Sequence, residues 1–192
     1  IQDVQYSSFG SGFSGYNNYE VTVSGIVTAD TTDLEGDGGS ISPQVYLQNG
    51  SGPWSGIQIF GTDAFNTRKG DKLTVTGIVN ENFGITRIGT LDNNAQIQSD
   101  GTGLELPLPT VISTGLIGTN SGGSLPAESY EGVLLKFENV TVLDDNADGD
   151  SGPVSNNYGE IFIADTSNIQ MRVETQDGTH DYHNFWDSAL EE

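Results

Sequence analysis

The chain contains no cysteine, so neither disulfides nor thiolate-bound metals contribute to its stability or chemistry. Basic residues are nearly as scarce: six Lys and Arg stand against 27 Asp and Glu, a formal charge of −21. Such a surface repels phosphate backbones, which disfavours nucleic acid as a partner and suits cations, high salt or plain solubility. The only two histidines lie near the end of the sequence, and no G-x-S-x-G elbow is present. Nucleophilic catalysis therefore has no foothold. Carboxylates are too numerous for one pair to stand out as general acid and base. The chain reads as non-enzymatic. No run approaches the roughly 20 apolar residues of a membrane-spanning helix. No secretory leader is visible and the first residue is Ile1 rather than Met, as in a processed or excised piece. A cysteine-free chain rich in Gly, Asn, Thr and Ser fits a secreted, extracellular or cell-surface protein.

What is present is β-forming. Short Val- and Ile-rich runs alternate with turn residues, 26 of them Gly, and two Trp, seven Tyr and eight Phe are available for a core. This spacing favours an all-β sandwich or barrel. Residues 73–88, LTVTGIVNENFGITRI, hold the clearest signal. Leu73, Val75 and Val79 alternate with Thr74 and Thr76, the period of a half-buried strand. Gly77 followed by two apolar residues suggests a bulge or bend there, and residues 83–88 sit close enough to complete a hairpin. Residues 21–27, VTVSGIV, nearly repeat residues 73–79, LTVTGIV. Two strands sharing a mid-strand glycine point to a closing sheet.

In chain order, residues 1–20 read as an extended lead-in and 21–29 as the first strand. A polar acidic loop over 31–43 follows, then strands near 45–47 and 57–60. A short link over 62–70 leads to the hairpin at 73–88. Five strands, two of them notched by glycine, match a five-stranded OB-type barrel over residues 21–104. Leu106-Pro107-Leu108-Pro109 is a stiff extended linker. Residues 133–143 form the longest strand candidate. Val45-Tyr46-Leu47-Gln48-Asn49 followed by Ile57-Gln58-Ile59 is echoed by Ile161-Phe162-Ile163-Ala164-Asp165 followed by Ile169-Gln170-Met171. Residues 105–192 thus read as a second, incomplete OB-like domain of about three strands. Its last fifteen residues are not β-patterned, and Asp181 or Asn184 offers a cap for a short helix there. The expectation is of tandem OB-like barrels, the first complete. Either further chain or another copy of the protein would complete the second, since open sheet edges are templates for pairing.

The runs VTVSGIVTA, YLQNGSGPWSGIQIF, GDKLTVTGIVNENFGITRI and SYEGVLLKFENVTV resemble the OB-like β region of secreted bacterial nucleases. In that family it lies upstream of an endonuclease/exonuclease/phosphatase-type catalytic domain, and similar modules occur in Bacteroidota surface and secreted proteins. The resemblance implies an accessory module with a downstream catalytic domain as its partner, and no catalytic residue carries over.

Asp144, Asn146, Asp148 and Asp150, with Gly149 at the sixth position, form the first half of a calcium loop, D-x-N-x-D-G-D. Short oxygen-bearing side chains at alternating positions are what a hard cation needs. Ser155 stands where a bidentate Glu would close the loop, so water or another segment must complete it. A weaker copy, Asp33, Glu35 and Asp37, occupies the corresponding loop of the first half. The competing interpretation is a pair of solvated acidic turns. His180 and His183 make an H-x-x-H without zinc-site spacing, which reads as surface or packing. Trp54, Tyr46, Phe83 and Arg87, with Arg68, Lys69 and Lys72 nearby, form the one candidate face for an oligonucleotide or oligosaccharide; for each aromatic alone, core or turn packing is the commoner role. The expectation is a non-catalytic, extracellular, calcium-binding accessory module. The alternatives are a filament or tube subunit completed by strand exchange between copies, and a nucleic-acid- or oligosaccharide-binding module.

Overall fold

A computed structural model describes residues 1–8, 10–36, 40–118, 124–144, 147, 160–174, 176–177 and 180–181. The architecture is all-β; among the described residues there are three short helices, α1 (Gln2–Gln5), α2 (Thr114–Ile117) and α3 (Leu125–Glu128), and one 3-10 turn at Thr62–Asn66. The first half is a sheet closed on itself. Its strands are β1 (Glu20–Ala29), β4 (Gln44–Gln48), β5 (Gly56–Phe60), β6 (Lys72–Asn82), β7 (Ile85–Ile88) and β8 (Gln96–Gly101). Between β1 and β4 lies a two-residue ladder, β2 (Glu35–Gly36) with β3 (Ser40–Ile41).

The strand order is β1-β4-β5-β7-β6-β8, and β1 also pairs with β6, closing a five-stranded ring with β8 added outside β6. Closure is possible because β1 is long enough to serve both neighbours. Its first seven residues pair with β6, from Glu20↔Ile78 to Ile26↔Lys72, and its last with β4, from Ile26↔Gln48 to Ala29↔Tyr46. Within the ring the one parallel contact is β5 with β7, Gln58↔Arg87 and Ile59↔Ile88. Inside the ring Val27, Val45, Leu47, Ile57, Ile59, Leu73, Val75, Val79 and Ile88 are fully buried. Val4 of α1 and Ala64 of the 3-10 turn join the same core.

Two expectations change here. The ladder between β1 and β6 passes Gly25 and Gly77 without a register shift. Gly77 does not break the alternation: it occupies the inward position between Val75 and Val79, and a Cβ there would lie 2.9 Å from the Ile88 side chain. Gly25 likewise stands inward, where a Cβ would meet the Gln48 carbonyl oxygen at 2.7 Å. The glycines are notches for neighbouring strands rather than bends. Nor is the lead-in wholly extended, since α1 folds under the ring and Ser14 Oγ donates to the Val4 carbonyl.

After an exposed stretch around Leu106 and Leu108 the chain forms β9 (Thr110–Val111), α2 and α3, then β10 (Leu135–Lys136), which runs parallel to β9. The long strand expected over 133–143 is broken: β10 ends at Lys136, Asn139 takes a positive φ of 55°, and β11 (Thr141–Asp144) begins afresh. Val133 and Leu134 instead lie against the ring. β11, β12 (Glu160–Ala164) and β13 (Met171–Glu174) form a three-stranded antiparallel sheet, with a further ladder of β14 (Gln176–Asp177) and β15 (His180–Asp181).

The internal repeat is visible in the pairing. β1 and β4 shift register between Val27 and Ala29, opposite Leu47 and Tyr46; β11 and β12 shift between Val142 and Asp144, opposite Ile163 and Phe162. The bulge recurs at the same place. The next strand is offset by two residues from the sequence match, because Leu47 pairs with Ile57 whereas Ile163 pairs with Met171. Ile169 stays in the turn, where its carbonyl accepts from Thr114 Oγ1 at 2.8 Å. The N–H of fully buried Thr114 also donates to the Asp165 carboxylate and its hydroxyl oxygen accepts from the Asp165 N–H, tying α2 to the β12–β13 turn. Hydrogen bonds from the Ser167 hydroxyl and N–H, with smaller contributions from the Ser113 hydroxyl and the Thr114 N–H, hold the Asp165 carboxyl far below the usual carboxylate range against the opposing effect of burial.

Candidate functional site

The outer face of β4, β5 and β7 carries the residues expected to meet a ligand. Val45 and Leu47 point inward, so Tyr46 points out. By the same alternation so do its cross-strand neighbour Gln58 and, beside that, Arg87. Gln58 donates to the Tyr46 hydroxyl at 3.2 Å. Burial raises the Tyr46 pKa, with that hydrogen bond opposing and the charge of Glu131 adding to the rise. The Arg87 guanidinium lies 4.8 Å from the centre of the Phe60 ring, a cation–π contact, and burial lowers its pKa.

This face is not open. Residues 124–135 run across it as a strap. The Ser129 carbonyl accepts from the Trp54 N–H, the Leu134 N–H donates to buried Gln48 Oε1 at 2.8 Å, and Val133 is buried. Strap and ring meet backbone to backbone at Gly56: a Cβ there would lie 2.0 Å from the Gly132 carbonyl oxygen. Beside the strap a cavity of about 330 Å³ is lined by Thr28, Leu34, Tyr46, Gly132, Val133 and Leu134.

The four residues expected to form a ligand face are therefore dispersed. Tyr46 is under the strap, and Trp54 packs edge-on against Tyr6, ring centres 5.6 Å apart. Phe83 is fully exposed at the tip of the β6–β7 hairpin with φ of 53°, and Arg87 covers Phe60. The basic residues are engaged separately as well. Arg68 Nη1 donates to the carbonyls of Phe65 and Thr67, and Lys69 Nζ lies 2.6 Å from Asp33 Oδ1.

That ion pair bears on the first acidic loop. The other Asp33 oxygen accepts from the Asp30 N–H at 2.9 Å, so both of its oxygens are committed. A cation at Asp33 would have to displace the Lys69 ammonium. Asp30 itself ties the loop to the turn before β6. It accepts from the Thr32 N–H and hydroxyl and from the Lys69 N–H. Although burial opposes them, these bonds and the nearby Arg68 charge hold its carboxyl below the usual range. The side chain of Glu35, and Asp37, lie outside the described residues. So do Asn146, Asp148 and Asp150 of the second loop, and the His180 side chain and His183. Asp144 ends β11, and the Ala147 N–H donates to the Glu160 carbonyl at 2.8 Å. Among the described residues no cluster of three His, Asp or Glu has metal-binding geometry.

A carboxylate cluster that no local pattern signals lies where strap, lead-in and hairpin meet. Glu131 Oε1 accepts from Gln5 Nε2 at 3.2 Å and from the Thr86 N–H at 2.9 Å. Glu81 accepts from the Ser14 N–H and the fully buried Thr86 hydroxyl, and Gly12 packs directly on Glu128. Burial raises the Glu131 pKa to about 7, its two hydrogen bonds opposing and the charges of Glu128 and Glu81 adding to the rise. Burial and Glu81 raise that of Glu128 too. Period-2 reading places Glu81 on a strand but cannot foresee which carboxylates the strap delivers to it.

No family model, curated protein or solved structure matches the chain.

Proposed function

We propose that this chain is a non-catalytic accessory module of a secreted or cell-surface protein, built on an OB-type ring followed by a partial second copy, and stabilised by calcium at residues 144–150. The observation that carries the reading is the topology of the ring. Antiparallel order β1-β4-β5 joined through one parallel contact to β7-β6 and back to β1 is how a five-stranded Greek-key barrel of this type closes. The resemblance to the β region of secreted nucleases supports the accessory role, with a separate catalytic domain as its partner. The strap supports a scaffolding duty for the β4–β5 face. It occupies the surface that such barrels present to oligonucleotides or oligosaccharides, and the net charge of −21 adds a further barrier to nucleic acid.

Calcium is assigned to Asp144, Asn146, Asp148 and Asp150 rather than to Asp33, whose carboxylate the Lys69 ammonium already neutralises. A cation that binds the folded state raises the melting temperature by mass action, about 2.7 kcal/mol of added stability at one hundred times its Kd. Excess calcium is expected to raise the melting temperature, EDTA to reverse the rise, and Asp148→Ala to abolish it. Indifference to all three would refute the calcium assignment.

A second reading, a filament or tube subunit, draws on the β11-β12-β13 sheet, which repeats β1-β4-β5 down to its bulge. A strand from a neighbouring copy could extend it as β6 and β7 extend the first. Growth into larger species in calcium buffer favours that reading. A monomer at every concentration excludes it.

A further inference from the structure

We propose that residues 124–135 form a pH-released strap: ionisation of Glu131 beside Glu81 and Glu128 detaches them from the ring and uncovers the β4–β5 face. The geometry is that of a clasp made from three carboxylates on three elements. Glu81 comes from β6, Glu128 from α3, and Glu131 from the turn that follows α3. Facing Glu131 are Gln5 from α1 and Thr86 from β7, both neutral donors, and Tyr46 from β4, whose pKa Glu131 helps to raise. Ser14 of the lead-in holds Glu81, and Gly12 packs on Glu128. No Lys, Arg or His pairs with any of the three carboxylates among the described residues. A protonated Glu131 keeps both accepted hydrogen bonds. An ionised one becomes a second or third negative charge in a site with little water to screen it.

Beyond the clasp the strap is held to the ring chiefly by the Trp54–Ser129 and Leu134–Gln48 hydrogen bonds and by Val133. Release would bare the Tyr46 hydroxyl, Gln58 and Gly56.

The sign follows from where the proton is held. Docked, Glu131 keeps its proton up to about pH 7; released, it titrates near the ordinary value of 4.5. Docking is therefore favoured at low pH and weakens as pH rises through that interval, by up to about tenfold per unit, then levels off. Between pH 6 and 8.5 the released fraction should grow about tenfold.

Amide hydrogen exchange on the full chain tests this, with rates corrected for the intrinsic effect of pH. Trp54, Thr86 and Leu134 donate across the clasp and strap; Val75 and Val79 in the ring report global opening. The proposal expects protection at the first three to fall about tenfold from pH 6 to 8.5 while the two reference amides hold. Glu131→Gln, which keeps an acceptor for Gln5 and Thr86, should remove most of that fall, and Glu128→Gln should move its midpoint to lower pH. The proposal is overturned if the wild-type amides show no such fall, if Glu131→Gln falls equally, or if Val75 and Val79 lose protection in step. Should Glu131→Gln not fold, the Glu128→Gln midpoint decides.

Discussion

Gly89→Ala, just after β7, should destabilise the protein by about 2–5 kcal/mol, whereas Gly84→Ala, just before the same strand, should cost only about 1–2 kcal/mol. Both glycines have positive φ, 93° and 87°, so both substitutions incur the left-handed penalty of an L residue. They differ in what the new methyl would meet. At Gly84, in the hairpin tip beside Phe83, nothing lies within 4 Å. At Gly89 the Cβ would stand 2.1 Å from the Phe60 carbonyl oxygen and 2.7 Å from the Ala95 N–H nitrogen. Those two groups hydrogen-bond to each other, and Gly89 itself donates to Ile78. Rigid backbone surrounds the position, so no side chain can swing aside. Urea unfolding of the two variants separates strain from clash, and at about 2–4 °C per kcal/mol the melting temperatures should differ measurably. Equal losses would mean that β5, β7 and the segment before β8 do not converge at Gly89.

The second large effect concerns the repeat. Leu47 and Ile163 occupy equivalent positions, each facing the strand before it across the same bulge. Their surroundings differ. Leu47 is fully buried among more than a dozen core residues, whereas Ile163 sits in a cluster of three buried side chains edged by Ile117, Phe137, Val142 and Val173. Leu47→Ala should leave a cavity that the closed ring cannot collapse and cost about 2–5 kcal/mol. Ile163→Ala, in a small and partly open cluster, should cost about 1–3 kcal/mol. Urea unfolding of each variant measures the difference. A larger loss at Ile163 would show that the second sheet, not the ring, holds the dominant core.

Much of the ring was legible because its strands obey a simple alternation. Leu73, Val75 and Val79 point inward as expected, and the strands near 45–47 and 57–60 extend by only a residue or so beyond those limits. β8 has no period-2 signature because its sequence, QIQSDG, has one apolar residue, as befits a strand that pairs outside the ring and stays largely exposed. The inward role of Gly77 was hidden for a related reason: its place in the alternation shows only once Ile88 is seen to fill the space. Residues 133–143 read as one strand because Val133 and Leu134 are apolar, yet they are buried against another element and not within a sheet of their own. The candidate ligand face dispersed because aromatic residues record burial of any kind. Trp54 answers to Tyr6, and Tyr46 to the strap. Contacts across 50 to 130 residues, such as Gln5 with Glu131, leave no local pattern to read.

Pairing of β1 with β6 is what closes the ring. The absence of cysteine gives a clean background for testing it. Thr22 and Thr76 face each other across that seam with their hydroxyl oxygens 2.8 Å apart, and directly opposed residues in an antiparallel pair lie within disulfide reach. Thr22→Cys combined with Thr76→Cys should oxidise to an intramolecular disulfide in dilute solution and raise the melting temperature. Thiols that stay free, or that link only between molecules, would contradict the closed ring.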